Sequence, residues 1–181
     1  MNNAITQDRI TLKNLKVAEF ASEETLCFTA TVIFDGVAVG EARNDGRGGM
    51  TFIHALGDKR AQLSEAGTFA ESLQPESCPD LPLKEGKVFS IDITLDYIVD
   101  DLASKLHEER KLRTRYSRNK DKVIFIRDGK IFSLKKIRLN SLTDRPAFFA
   151  SLRKQYGSSI IILAELPPDE AFSLWRQYIY G

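Results

Sequence analysis

Cysteine, histidine, tryptophan and methionine are all scarce in this chain of 181 residues, which has two Cys, two His, two Met and one Trp. Cys27 and Cys78 cannot build a disulfide framework, so a reducing compartment is expected. With only His54 and His107, and no C-x-x-C pair, a metal centre has too few ligands of the usual kinds. No apolar run approaches the ~18 residues that would suggest a membrane span. The N-terminal stretch MNNAITQDRI lacks the basic-then-apolar order of a secretory signal. The expectation is a cytoplasmic protein with no membrane partner, no metal and no cofactor. Net charge is also nearly absent, at +1.

That near-neutral total conceals a division. Residues 1–100 carry 9 Lys and Arg against 16 Asp and Glu, a net −7, whereas residues 101–181 carry 17 against 9, a net +8. The stretch 102–154 holds 16 basic and 5 acidic residues. Such a run is either a solvated face or a surface for nucleic acid or an acidic protein patch.

Periodicity predicts an α+β fold of antiparallel hairpins packed with about four helices. Ile10, Leu12, Leu15 and Val17 mark a half-buried strand. Leu26 to Ala42 reads as a hairpin turning at Asp35-Gly36, and 122–138 as a second turning at Asp128-Gly129. Met50 to Leu56 is a further short strand. Residues 58–73 form a helix that Asp58 would cap. A long helix is expected from about Ser90, with Ile91, Leu95, Ile98, Val99, Leu102 and Leu106 on one face. A helix near 144–156 begins at Thr143 or Asp144 and stops at Gly157, with Ile160–Leu163 a short strand and a last helix after Pro167-Pro168. The proline-rich stretch 76–89 is a loop and the expected boundary between a β-rich half with one helix (1–75) and a basic α+β half (90–181), one continuous domain being the alternative.

Two constellations stand out. The first is the loop Arg43-Asn44-Asp45-Gly46-Arg47-Gly48-Gly49, with His54 in the following strand. Three glycines in four residues let the backbone approach a ligand, and free N–H groups with Arg47 could cradle an anion. The pattern matches neither the P-loop nor the dinucleotide fingerprint, so a structural turn is the competing reading. The second is the basic run that begins at Lys105, with Arg110, Lys111, Arg113, Arg115, Arg118, Lys120 and Lys122 around Tyr116. Cations interleaved with an aromatic suit phosphate contact and base stacking, although no helix-turn-helix, zinc-finger or RNA-recognition signature is present. No nucleophile with a base and an orienting group can be assigned, so an enzyme is the minor alternative.

Three blocks, 10–15 with 20–28 (ITLKNL and FASEETLCF), 44–49 (NDGRGG) and 163–172 (LAELPPDEAF), together resemble a group of small, largely uncharacterised proteins encoded by phages, prophages and plasmids. Arg47 departs from the resemblance, since the group's loop usually has histidine there, which weakens any metal or acid-base role for the loop. The resemblance implies a mobile-element setting. It suggests a non-enzymatic accessory protein that binds and inhibits a host nuclease or defence complex in the host cytoplasm, in the manner of an anti-CRISPR, through its charged surfaces. The alternative is an accessory protein that binds DNA or RNA through 105–122.

Overall fold

The computed structural model describes residues 7–82 and 88–180, with the side chains of 77–82, 88, 89 and 180 outside the description, Cys78 among them. The fold is α+β, as the periodicity predicts. The chain divides into two compact units, Met1–His107 and Glu108–Gly181. This division lies inside a helix and not in the 76–89 stretch, because Glu76–Pro82 (β5) and Val88–Ile91 (β6) pair as an antiparallel two-stranded sheet within the first unit. It coincides with the change in charge. The first unit has 10 Lys and Arg against 17 Asp and Glu, and the second has 16 against 8.

In the first unit, β1 (Ile10–Val17), β2 (Cys27–Phe34), β3 (Val37–Asp45) and β4 (Phe52–Ala55) form a four-stranded antiparallel sheet in chain order. Ile10 and Leu12 share a face with Leu15 and Val17 only because the register shifts between Lys13 and Lys16, where Asn14 takes a positive φ of 52°. Without that bulge the one-residue step from an even to an odd position would turn Leu15 outward. Asp35 and Gly36 (φ 48° and 81°) supply the two left-handed positions of a tight hairpin turn. Arg9 clamps that turn, donating to both carboxylate oxygens of Asp35 at 2.9 and 2.6 Å while its guanidinium lies over Phe34 and Phe69.

The inner face of the sheet packs on α1 (Arg60–Glu71) and on the N-terminal half of α2 (Leu95–Asn119). Ala66 and Ala70, both fully buried, let α1 lie close to the sheet, and Gly40 has the Leu63 side chain within 3.2 Å of where a Cβ would sit. Two sequence expectations need correction here. Asp58 is not the cap of α1, since the N-cap is Lys59 with no side-chain bond. Ser90 and Ile91 belong to β6, so α2 starts later, and its buried face runs through Ile98, Val99 and Ala103. Each large aliphatic side chain buried there contributes roughly 1.5–3 kcal/mol.

In the second unit, β7 (Lys122–Arg127) lies between β8 (Lys130–Arg138) and β9 (Ile161–Ile162) in a three-stranded sheet. Asp128 and Gly129 (φ 48° and 69°) turn the β7–β8 hairpin. The continuous apolar run of β7 is explained by burial on both faces. Ile124 and Ile126 pack with Leu112 of α2 and with Ala171, Phe172 and Trp175 of α4 (Pro168–Tyr180). Val123 and Phe125 pack with Phe149 and Leu152 of α3 (Arg145–Tyr156). Asp144 caps α3 by accepting from the Ala147 N–H at 2.9 Å, and Gly157 ends it at φ 108°.

Candidate functional site

The glycine loop follows β3, where alternation sends Asn44 to the interior and Arg43 and Asp45 to solvent. Asn44, 2% exposed, is the centre of the loop. Its Oδ1 accepts from the Thr25 hydroxyl at 2.9 Å and the Gly46 N–H at 2.8 Å. Its Nδ2 donates to the Gly49 carbonyl at 3.2 Å and to Thr51 Oγ1 at 2.9 Å. The Gly46 carbonyl accepts the N–H groups of Glu23, Glu24 and Thr25 at 2.9, 3.0 and 3.3 Å. The Thr51 hydroxyl in turn donates to Asp100 Oδ1 on α2. Burial pushes the Asp100 carboxyl above its ordinary value, the Thr51 hydrogen bond opposing that rise and the charge of Asp96 adding to it.

This geometry argues against an anion cradle. The N–H of Gly46 already donates to Asn44, and that of Gly48 donates to Thr25 Oγ1 at 3.3 Å. The Glu24 carboxylate lies over the loop, with Oε2 only 2.2 Å from where a Cβ on Gly48 would sit. A phosphate approaching there would meet like charge, so the loop is a structural knot that ties the β1–β2 connection to α2.

Arg43 and His54 lie elsewhere. The strand registers align Lys16, Thr29, Arg43 and Phe52 in one row across the sheet, and Lys13, Thr31, Glu41 and His54 in the next. His54 therefore faces Glu41, whereas Asp45 lies four residues farther along β3 and pairs with Arg43 at 2.8 Å. His54 and Asp45 are therefore not brought together. These rows line an open depression of 690 Å³ on the outer face of the sheet. Arg47 is exposed beside it in sequence, and His107 pairs with Glu19 at 3.0 Å within the same unit.

The basic run divides into two kinds of residue. Arg113 bonds Glu109 at 2.9 Å, reaches Asp169 at 3.5 Å and lies 4.5 Å over the Phe172 ring, so it is a structural cation joining α2 to α4. Lys111 pairs with Glu108 at 3.1 Å, Lys105 with Asp101 at 2.6 Å, and Arg110 is exposed on the same helix. Tyr116 packs on Phe172 and Trp175 with ring centroids 5.6 and 5.3 Å apart, and burial raises its hydroxyl pKa. It is half-buried and packs against the core cluster of the second unit.

Arg115, Arg118, Lys120 and Lys122 carry no ion pair among the described residues. Neither do Lys130, Lys135, Lys136 and Arg138 on β8, four cations that lie outside the 105–122 run. Their position on a free sheet edge depends on the strand order, which the sequence does not display; the alternation of 130–138 was the available signal. Seven of the eight carboxylates of this unit are engaged elsewhere. Glu108, Glu109, Asp128, Glu165 and Asp169 pair with Lys111, Arg113 and Arg176, Arg127, Arg153 and again Arg113, while Asp144 caps α3 and Asp121 accepts from the Asn140 N–H. A groove of 220 Å³ opens among the unpaired cations, with Arg115, Asn119, Lys122 and Ser133 polar and Ile124, Ile131, Trp175 and Ile179 apolar. Phe132 borders it from the strand edge, its ring stacked on Phe125 at 5.6 Å.

No known family profile matches the chain, and no curated protein or solved structure matches it either. Among the described residues, no group of three or more His, Cys, Asp and Glu side chains could hold a metal ion, and no helix is long and apolar enough to cross a membrane.

Proposed function

We propose that the protein acts by binding without catalysis, and that its second unit contacts nucleic acid as an accessory protein of a mobile genetic element. The observation that carries this reading is the set of unpaired cations from the end of α2 through β7 and β8, in a unit whose carboxylates are mostly engaged with other partners. A positive surface with no internal counter-charge gains free energy by displacing condensed counterions from a phosphate backbone. The setting rests on the resemblance to phage, prophage and plasmid proteins. The test is binding to DNA and RNA at about 50 and about 200 mM salt, where neutralising some six phosphates predicts a loss of about 10³-fold in affinity. Undetectable binding at the lower salt would overturn the reading.

A second reading, inhibition of a host nuclease or defence complex, has its own support in the first unit. Phe20 is 94% exposed, Met50 73% and Phe52 62%. All three border the rigid glycine loop: Phe20 precedes Ala21, whose carbonyl lies against Gly46; Met50 follows Gly49; and Phe52 pairs with Arg43. Large apolar side chains left in water around a fixed loop are a common feature of protein-binding surfaces. Capture of a nuclease or defence complex that is lost on converting Phe20, Met50 and Phe52 to Ser would favour this reading. Capture that survives the change would remove it.

A further inference from the structure

We propose that the groove among α2, the β7–β8 hairpin and α4 holds a nucleotide of a single-stranded nucleic acid, base inward and phosphate on its rim, an assignment that rests on the nucleic-acid reading above. Arg115 and Asn119 stand one turn apart near the end of α2, and Lys122 begins β7, so two cations without ion pairs and an amide lie along one side. Asn119 donates through Nδ2 to the Arg115 carbonyl at 2.8 Å, which fixes the side chain. Ile124, Ile131 and Ile179 with Trp175 form the apolar part, Ile124 and Trp175 being buried in the core cluster with Leu112 and Phe172, and Ile179 exposed.

Size and chemistry then select the occupant. A space of 220 Å³ accommodates one planar base and excludes a duplex, whose bases are stacked and paired inside the helix. An apolar floor beside two cations is complementary to a flat ring carried on a phosphate, and base contact with such surfaces tolerates any sequence. A free strand can place one base there while neighbouring phosphates track the cations of β8. The unit's net charge of +8 supplies the long-range attraction.

Trp175 is the only tryptophan of the chain, and it lines the inner wall of this groove while packing on Tyr116 and Phe172 in the core, so its emission reports on that wall and on the cluster behind it. Short oligothymidylate and a hairpin duplex of matched length are titrated against the full chain, followed both by tryptophan emission and by anisotropy of a labelled strand. The single strand is expected to change the emission saturably and to bind at least about tenfold more tightly than the duplex. Arg115→Glu with Lys122→Glu should abolish the emission change and weaken single-strand binding by at least about tenfold. Ser133→Phe, at an exposed site, fills the groove and leaves its charges in place. It should weaken single-strand binding and spare that of the duplex. Salt-sensitive binding without an emission change, or unaffected by these variants, would overturn the groove and leave the nucleic-acid reading standing. Equal affinity for strand and duplex would overturn the single-strand assignment. No binding to either at about 50 mM salt would overturn both readings.

Discussion

The two Asp-Gly hairpins use the same turn in opposite surroundings. Asp35-Gly36 and Asp128-Gly129 have nearly identical φ values, and in both the turn joins two antiparallel strands. The strands of the first, β2 and β3, are interior members of a four-stranded sheet, and its turn aspartate is clamped by Arg9. In the second, β8 is a sheet edge, and its cations have no carboxylate partners among the described residues. A local turn signal therefore fixes the hairpin, and the neighbours decide whether its polar groups are satisfied within the fold or left for a partner.

Four experiments test this contrast. The largest expected effect is at Gly46, where φ is 82° and an added Cβ would come within 2.2 Å of the Ala21 carbonyl oxygen and 2.8 Å of Cys27 Cβ. Gly46→Ala should destabilise the first unit by about 3 kcal/mol or more, since backbone strain and a clash add. Gly129→Ala, with nothing within 4 Å, should cost only about 1–2 kcal/mol for the left-handed conformation. Urea unfolding of both variants measures the difference, and equal costs would refute the view of the glycine loop as a packed knot. Next, Asn44→Ala leaves buried partners unsatisfied and should cost roughly 2–3 kcal/mol, with oligonucleotide binding unchanged in the folded protein.

How much was legible in the sequence follows from the same residues. Both turns, a helix start at Thr143 or Asp144 and the Gly157 stop depend on neighbours within a few positions and are legible in the sequence, the structure selecting Asp144 as the cap. The roles of Asn44 and Asp100 were not legible, because their bonding joins residues 25, 44, 51 and 100, which only the tertiary fold brings together. The proline-rich 76–82 segment read as a loop yet pairs as β5, with cross-strand pairing overriding propensity. The basic run was visible as composition. Its separation into the structural Arg113 and the unpaired Arg115, Arg118, Lys120 and Lys122 required α4 to be in place.

That separation gives the third experiment. Arg113→Ala should lower stability by about 1 kcal/mol through the lost ion pairs and the contact with the Phe172 ring. Arg118→Glu with Lys120→Glu should leave stability within about 0.5 kcal/mol and reduce the salt slope of binding by about 1–2. Thermal unfolding beside a salt titration distinguishes the two, and a reversed pattern would undo the assignment.

The smallest expected effect is the pH dependence at Asp100. Its carboxyl is raised in the folded state, chiefly by burial, so the native protein binds more protons than the unfolded chain between the ordinary and the raised pKa. Stability therefore falls as pH rises through that window, and the penalty persists at neutral pH. Asp100→Asn removes the charge while its Oδ1 can still accept from Thr51. The variant should melt slightly above the parent at pH 7, the gap closing once the pH is below the ordinary carboxylate range. A variant melting below the parent at pH 7 would show that the carboxylate's hydrogen bond outweighs its desolvation.

The free edge of β8 has a consequence for the protein's behaviour in concentrated solution. An unpaired strand edge is a template for the same edge of another copy, and natural proteins blunt such edges with lysines and bulges. Here Lys130, Lys135 and Lys136 lie along β8, and the register shift between Lys122 and Ile124 breaks its pairing pattern, with Lys136 at a φ of 69°. The charges that the proposed nucleic-acid contact draws on are thus also a colloidal safeguard. Neutralising all three lysines should remove that repulsion and turn β8 into a seam for self-assembly, which light scattering at rising protein concentration would register.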